Sequence, residues 1–218
     1  MVNPATVSNV GLAGGDDITV GGGSHGVDAF AAHVFGQSKE MIPGALAAGA
    51  MVGPTAQEQF VQYTVSSSSS ANVDSAATIR YDRWDSNGDQ QYTPDLDLGV
   101  RQPLSNGLSF GAAALNLMHP HPFNNTDYAL QQETQFAAGL GYSGSNHMAK
   151  AEADYVYTAG GSYARVGGEV QVTHGYFVRA GFADKEITVG GSVSNFSLAV
   201  VFPNHQHTVY YGGMSAHF

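Results

Sequence analysis

With 218 residues, 12% charged side chains, 28 glycines and a formal charge of −10, the chain carries about half the charge density of an average soluble domain. The absence of cysteine excludes a disulfide framework and a thiolate metal site. The acidic balance, with eight scattered Lys and Arg, argues against nucleic acid as a partner. No stretch approaches the ~18 consecutive apolar residues of a membrane helix, since the longest weakly polar run, Ile42 to Gly53, is mostly Ala and Gly.

Met1-Val2-Asn3-Pro4 has neither the basic region nor the apolar core of an export signal. The expectation is an exported protein whose signal has been removed; a cytoplasmic chain that never had one is the alternative. The following segment, with Gly11, Gly14, Gly15, Asp16 and Asp17, reads as loop. Ile18-Thr19-Val20 opens the first predicted strand, and Val27 to Phe35 forms the second. Ala45 to Val52 and Gln57 to Ser66 follow, with Val61, Tyr63 and Val65 on one face. The serine run Ser66 to Ser70 reads as an exposed loop.

Ala77, Ile79 and Tyr81 alternate with Thr78, Arg80 and Asp82, and an Asn-Gly turn signal follows at Asn87-Gly88. Leu96, Leu98 and Val100 then alternate with Asp95, Asp97 and Gly99. Leu108, Phe110, Ala112 and Ala114 share a face up to the break at His119-Pro120-His121-Pro122. Beyond it, Phe136 to Tyr142, Ala149 to Tyr157, Ala164 to Val172, Tyr176 to Phe182, Ile187 to Val189 and Phe196 to Phe202 repeat the two-residue alternation, with turn residues (Gly144-Ser145-Asn146, Gly160-Gly161-Ser162, Asp184-Lys185, Ser194-Asn195) at each boundary. The last strand places Tyr210, Met214, Ala216 and Phe218 on one face. An apolar face ending on Phe resembles the closing strand of bacterial outer-membrane β-barrels. The resemblance implies recognition by the outer-membrane insertion machinery. A soluble β-sandwich edge strand ending on Phe is the alternative.

In this repeat the charges Lys150, Glu152, Asp154, Arg165, Glu169 and Arg179 fall mid-strand, opposite apolar rows. In a barrel they point into a wet lumen, where they stay solvated and pair with one another. The apolar rows are small or aromatic, which lipid tolerates but a sandwich core would leave underpacked. Closure also removes the sheet edges that lipid cannot hydrate. Tyr155, Tyr157, Tyr176, Phe182, Phe196, Phe202, Tyr210 and Phe218 suit the aromatic girdles at the membrane interfaces. The predicted fold is all-β: a transmembrane antiparallel up-and-down β-barrel of about fourteen strands, with about twelve or ten as alternatives. A single domain covers residues 1–218, leaving at most residues 1–17 to enter the lumen.

Asn3-Pro4-Ala5, the series Gly107-Leu108-Ser109-Phe110-Gly111-Ala112-Ala113-Ala114-Leu115-Asn116-Leu117, then Val178-Arg179-Ala180-Gly181-Phe182 and the closing strand are similar to the long-chain fatty-acid transporter superfamily, in its fourteen-stranded branch. The resemblance runs along the chain in order, on short glycine-rich motifs. It implies residence in the outer membrane of a Gram-negative bacterium, contact with lipid, and a small hydrophobic ligand. Family members are considerably longer, with an N-terminal plug and long extracellular loops that form the ligand sites. No long loop is expected here, so their ligand-binding residues are not carried over.

Asp85, Asn87 and Asp89 have the alternate spacing of a calcium loop, but Gln90 and Leu96 stand where its glycine and glutamate belong. An acidic hairpin loop is the preferred reading, with Asp85, Asn87 and Asp89 kept as weak metal candidates. His119-x-His121 and His205-x-His207 lie in Pro-containing turns with no adjacent carboxylate to complete a site. No Ser/His/Asp grouping has diagnostic spacing, and the glycine runs lack the lysine of a phosphate loop. The expectation is therefore no enzyme and no cofactor. Two functions stay open: a channel for small apolar or amphipathic solutes, and a non-conducting structural or surface-interaction barrel or assembly partner.

Overall fold

A computed structural model describes residues 15–23, 26–35, 44–52, 57–68, 73–86, 88–118, 133–144, 148–203 and 208–217; side chains are described at 29, 31, 44–52, 57–67 and from 73 onward within those ranges as far as 214. The described residues form fourteen strands. These are β1 (Gly15–Gly23), β2 (Gly26–Phe35), β3 (Gly44–Val52), β4 (Gln57–Ser68), β5 (Asp74–Ser86), β6 (Asp89–Pro103) and β7 (Leu108–Leu115). The second half adds β8 (Gln135–Ser143), β9 (Ala149–Thr158), β10 (Gly161–Thr173), β11 (Tyr176–Ala183), β12 (Glu186–Val193), β13 (Phe196–Phe202) and β14 (Val209–His217). Each strand pairs antiparallel with its neighbours in sequence. β1 also pairs with β14, Ile18 opposite Ala216 and Val20 opposite Met214, so the sheet closes on itself.

Alternation sets the two faces. In β5, Asp74, Ala76, Thr78, Asp82 and Trp84 are buried while Ile79 and Tyr81 are exposed. The usual inside-out order of a globular protein is reversed: Leu198 is 71% and Val172 66% exposed. Buried apolar side chains among the described residues are Ala47, Ala76, Trp84, Leu115, Val156 and Val209, too few to form a conventional core. Fold stability rests instead on the backbone hydrogen bonds of the closed sheet, whose register shifts once between Gln171 and Thr173, and on the polar interior.

Tight turns keep neighbouring strands in register. Asp184 and Lys185, at φ 41° and 72°, join β11 to β12 in the left-handed pair of a type I′ turn, whose twist matches the strands it connects. β1 begins at Gly15, three residues before the Ile18 at which alternation becomes legible.

Three expectations need correction. The serine run is not simply a loop: Ser66, Ser67 and Ser68 continue β4, and Ser66 is buried opposite Ala76. A serine is small enough to sit on the inner face beside its neighbours, and the composition alone hides that. Gly161 and Ser162, read as turn residues, open β10 instead, where they pair with Thr158 and Tyr157. The expectation of no long loop also fails, because residues 116–134 join β7 to β8. Their prolines remove ladder donors, and no apolar alternation resumes before Phe136.

Candidate functional site

The inner faces of β9, β10 and β11 carry the six charges singled out from the sequence. Arg165 lies directly across from Asp154 in register. Its Nε donates to Asp154 Oδ1 at 2.8 Å and its Nη2 to Oδ2 at 2.6 Å, a two-pronged charge-assisted pair. Glu169 stands between Lys150 on one neighbouring strand and Arg179 on the other. Arg179 Nε donates to Glu169 Oε2, and Lys150 Nζ lies 3.6 Å from Oε1. Glu152 faces Gly141 and Gly167 across its two neighbours and makes no ion pair among the described residues.

The strengths of these contacts differ with solvent access. The Arg165 and Asp154 side chains are mostly buried, whereas those of Lys150 and Arg179 are about half exposed. A double-mutant cycle with Arg165→Ala and Asp154→Ala should give a coupling of about 1 kcal/mol, the upper end for pairs that water still reaches. Lys150→Ala should leave stability almost unchanged. Urea unfolding of the protein in lipid vesicles measures both, and a cycle with no coupling would show that solvation has replaced the 154–165 pair.

A second constellation, on β4, β5 and β6, was not assembled from the sequence. Register stacks Gln62, Arg80 and Asp95 in one row, Phe60, Asp82 and Thr93 in the next, and Glu58, Trp84 and Gln91 beyond them. Arg80 Nε donates to Asp82 Oδ2 at 3.0 Å, and its Nη2 lies 3.6 Å from Asp95 Oδ2. Trp84 Nε1 donates to Thr93 Oγ1 at 3.1 Å, and the Thr64 and Thr78 hydroxyls share a hydrogen bond of 2.8 Å. Asp82 and Asp95 are 0% exposed and Glu58 is buried. The backbone after β7 folds onto this group: Asn116 N donates to Asp97 Oδ1 at 2.8 Å and Met118 N to Asp95 Oδ1 at 3.4 Å. Alternation of Thr78, Arg80 and Asp82 signalled an inner polar row; the meeting of that row with Glu58, Asp95 and Asp97 depends on strand register.

Between the two constellations lies a cavity of about 230 Å³, lined on its polar side by Arg101, Ser109, Glu152, Asp154 and Arg165. Its floor on β7 and β8 is Gly111, Ala113, Ala137, Gly139 and Gly141, side chains too small to fill the interior there. On the opposite face of the sheet, Tyr155, Tyr157, Tyr176, Phe182, Phe196, Phe202 and Tyr210 are all exposed. Phe218 lies outside the described residues.

Asp85 pairs across its hairpin with Gln90 and accepts the Gln90 side-chain amide at 3.2 Å. Asn87 and both histidine pairs lie outside the described residues. Among the described residues, no three His, Asp or Glu side chains are arranged to hold a metal ion.

No protein-family model and no curated protein matches the chain. Solved structures do. The toluene transporter TbuX of Ralstonia pickettii superimposes with a TM-score of 0.68 at 12% identity, covering 99% of this chain and 91% of that one. The TodX deltaS2S3 mutant, a monoaromatic hydrocarbon channel, gives 0.61 at 12% identity with the same coverage. The Acinetobacter baumannii outer membrane protein Omp33 gives 0.56 at 10% identity, over 95% of this chain and 99% of that one. At such identities the likeness concerns architecture, and the chain has the antiparallel up-and-down fold of the outer-membrane barrels.

Proposed function

We propose that the chain is a transmembrane barrel of the Gram-negative outer membrane, built on the fourteen-strand plan of the long-chain fatty-acid transporter superfamily, and that it forms a channel for small apolar or amphipathic solutes. The observation that carries this reading is a closed sheet with an apolar outer face and an inner face of paired charges around a cavity. An outer surface with Ile79, Val172, Phe196 and Leu198 all more than 60% exposed is costly in water and favourable in lipid. TbuX is a toluene transporter and TodX a monoaromatic hydrocarbon channel; a small aromatic hydrocarbon is accordingly the first solute class to try. The six charges on β9 to β11 line the passage in this reading, and the exposed aromatics mark the membrane interfaces, a role that the sequence pattern extends to Phe218.

A non-conducting barrel is the second reading. It is favoured by the complete burial of Asp82, Asp95 and Val156 on the inner face, which shows that part of the interior is filled. Recording in planar bilayers separates the two. The expected result is discrete single-channel steps, with conductance altered by Lys150→Ala or Arg179→Ala. Bilayers that stay silent while the protein is demonstrably inserted would leave the non-conducting reading.

A further inference from the structure

Of the six charges on β9 to β11, Glu152 alone makes no ion pair or side-chain hydrogen bond among the described residues. Register explains its isolation. It stands in one inner row between Gly141 on β8 and Gly167 on β10, which offer it no side chain. The same row reaches Ser109 on β7, opposite Gly141. The Ser109 hydroxyl likewise has no partner among the described residues. A bare glycine thus separates a carboxylate from a hydroxyl, two strands apart, or ~10 Å at ~4.8 Å per strand. Both groups line the cavity of about 230 Å³. The two arginines that share it are already engaged, Arg165 by Asp154 at 2.6 Å and Arg101 by Asp74 at 3.8 Å.

We infer that this cavity is the solute seat of the barrel, and that it takes a single aromatic ring carrying one neutral hydrogen-bond donor, a phenol or an aniline. The inference rests on the channel reading and deepens it, naming the solute and where it lies. Volume sets the size: a protein cavity of ~150 Å³ holds benzene, so about 230 Å³ takes one ring with a substituent and not a long acyl chain. The floor sets the shape, because the bare backbone of Gly111, Gly139 and Gly141 lets a flat ring lie against the sheet. Charge sets the substituent. Arg101 and Arg165 balance Glu152 and Asp154 around the cavity, so net charge on the solute gains little, while Glu152 lacks a donor. A neutral O–H or N–H on the ring edge supplies one. A carboxylate in the same place meets Glu152 with like charge. An apolar wall with a few placed polar groups is the usual make-up of a small-molecule site.

The test uses the full-length protein in lipid nanodiscs at neutral pH. Fluorine NMR reads the binding of para-fluorophenol, para-fluorotoluene and para-fluorobenzoate above that of protein-free nanodiscs. The expected result is saturable binding of fluorophenol, several-fold tighter than fluorotoluene, and none of fluorobenzoate. Partition into lipid or onto an apolar surface gives the opposite order for the first two, because fluorotoluene is the more apolar. Glu152→Leu should erase the preference for the phenol. Gly141→Leu, whose Cβ has its tightest contact with the Ser109 hydroxyl at 3.1 Å, should fill the floor and remove binding of both. Should that variant fail to insert, Ser109→Leu narrows the same cavity and decides in its place. No saturable binding in the wild type, or a preference for fluorotoluene, overturns the inference. A phenol preference that survives Glu152→Leu, or binding that survives the cavity-filling variant, overturns it as well. Planar-bilayer recording separates this from the channel reading. Current steps without fluorophenol binding overturn the seat and leave the channel, whereas silent bilayers with binding that follows these variants uphold the seat and overturn the channel alone.

Discussion

Arg80→Met should destabilise the folded barrel by about 3–5 kcal/mol, the cost of removing one partner from a buried ion pair. Among the described residues the guanidinium is the one cation paired with both Asp82 and Asp95, whose side chains are almost wholly enclosed. Its removal leaves two carboxyls that must take protons or find water. Trp84, the only tryptophan in the chain, is buried on the same strand and on the same face as Arg80 and Asp82, so its fluorescence reports the loss directly in a urea titration. Arg80→Met with Asp82→Asn should recover part of the loss, since one buried charge has then been removed together with its partner. A loss below about 1 kcal/mol for the single variant would mean that solvent already reaches both carboxyls.

Gly139→Ala should cost about 1–3 kcal/mol, the usual range for forcing an extra carbon against neighbouring atoms that cannot yield. A Cβ built at this position would lie 2.4 Å from the Ala153 carbonyl oxygen and 2.4 Å from Asp154 Cβ, contacts that only a backbone shift relieves. The same shift would disturb Asp154, which holds Arg165. Two residues along the same strand, Gly141→Ala would meet only the Ser109 hydroxyl at 3.1 Å, and a rotation of that side chain clears it. The pair therefore forms an internal comparison: unfolding midpoints should fall clearly for the first variant and hardly at all for the second. Equal effects would show that loss of glycine freedom in the unfolded chain, and not the close approach to β9, governs both.

Strands were legible wherever an apolar row alternates with polar residues, as in Ala77, Ile79 and Tyr81 against Thr78, Arg80 and Asp82. That pattern is local and needs no knowledge of a partner. The ladder of Lys150, Asp154, Arg165, Glu169 and Arg179 was legible for a related reason, since charges in mid-strand opposite aromatics have few other places to go. The acidic sector was not, because it is a product of register. Nothing near Glu58 in sequence indicates that it shares a row with Trp84 and Gln91, one row from Asp82. Sliding β4 by one residue would turn Glu58 to the outer face and dissolve the group. The serine run failed for the opposite reason: Ser66 and Ser68 belong to the strand by their backbone pairing, to which composition is blind.

The wall of the cylinder is not of even height. β4, β5 and β6 contain 12, 13 and 15 residues, whereas β11, β12 and β13 contain 8, 8 and 7. At ~3.4 Å per residue and a strand tilt of ~40°, β6 rises ~39 Å and β13 only ~18 Å. The apolar band of a bacterial outer membrane is about 25 Å tall. One side of a barrel seated there stands clear of the lipid while the other falls short of spanning it. Lipid must then thin beside β11 to β13, or the whole cylinder must lean towards them until the shortfall closes. Either response breaks the rotational symmetry of the surrounding bilayer, and neighbouring proteins that also prefer thin membrane would gather on the short side.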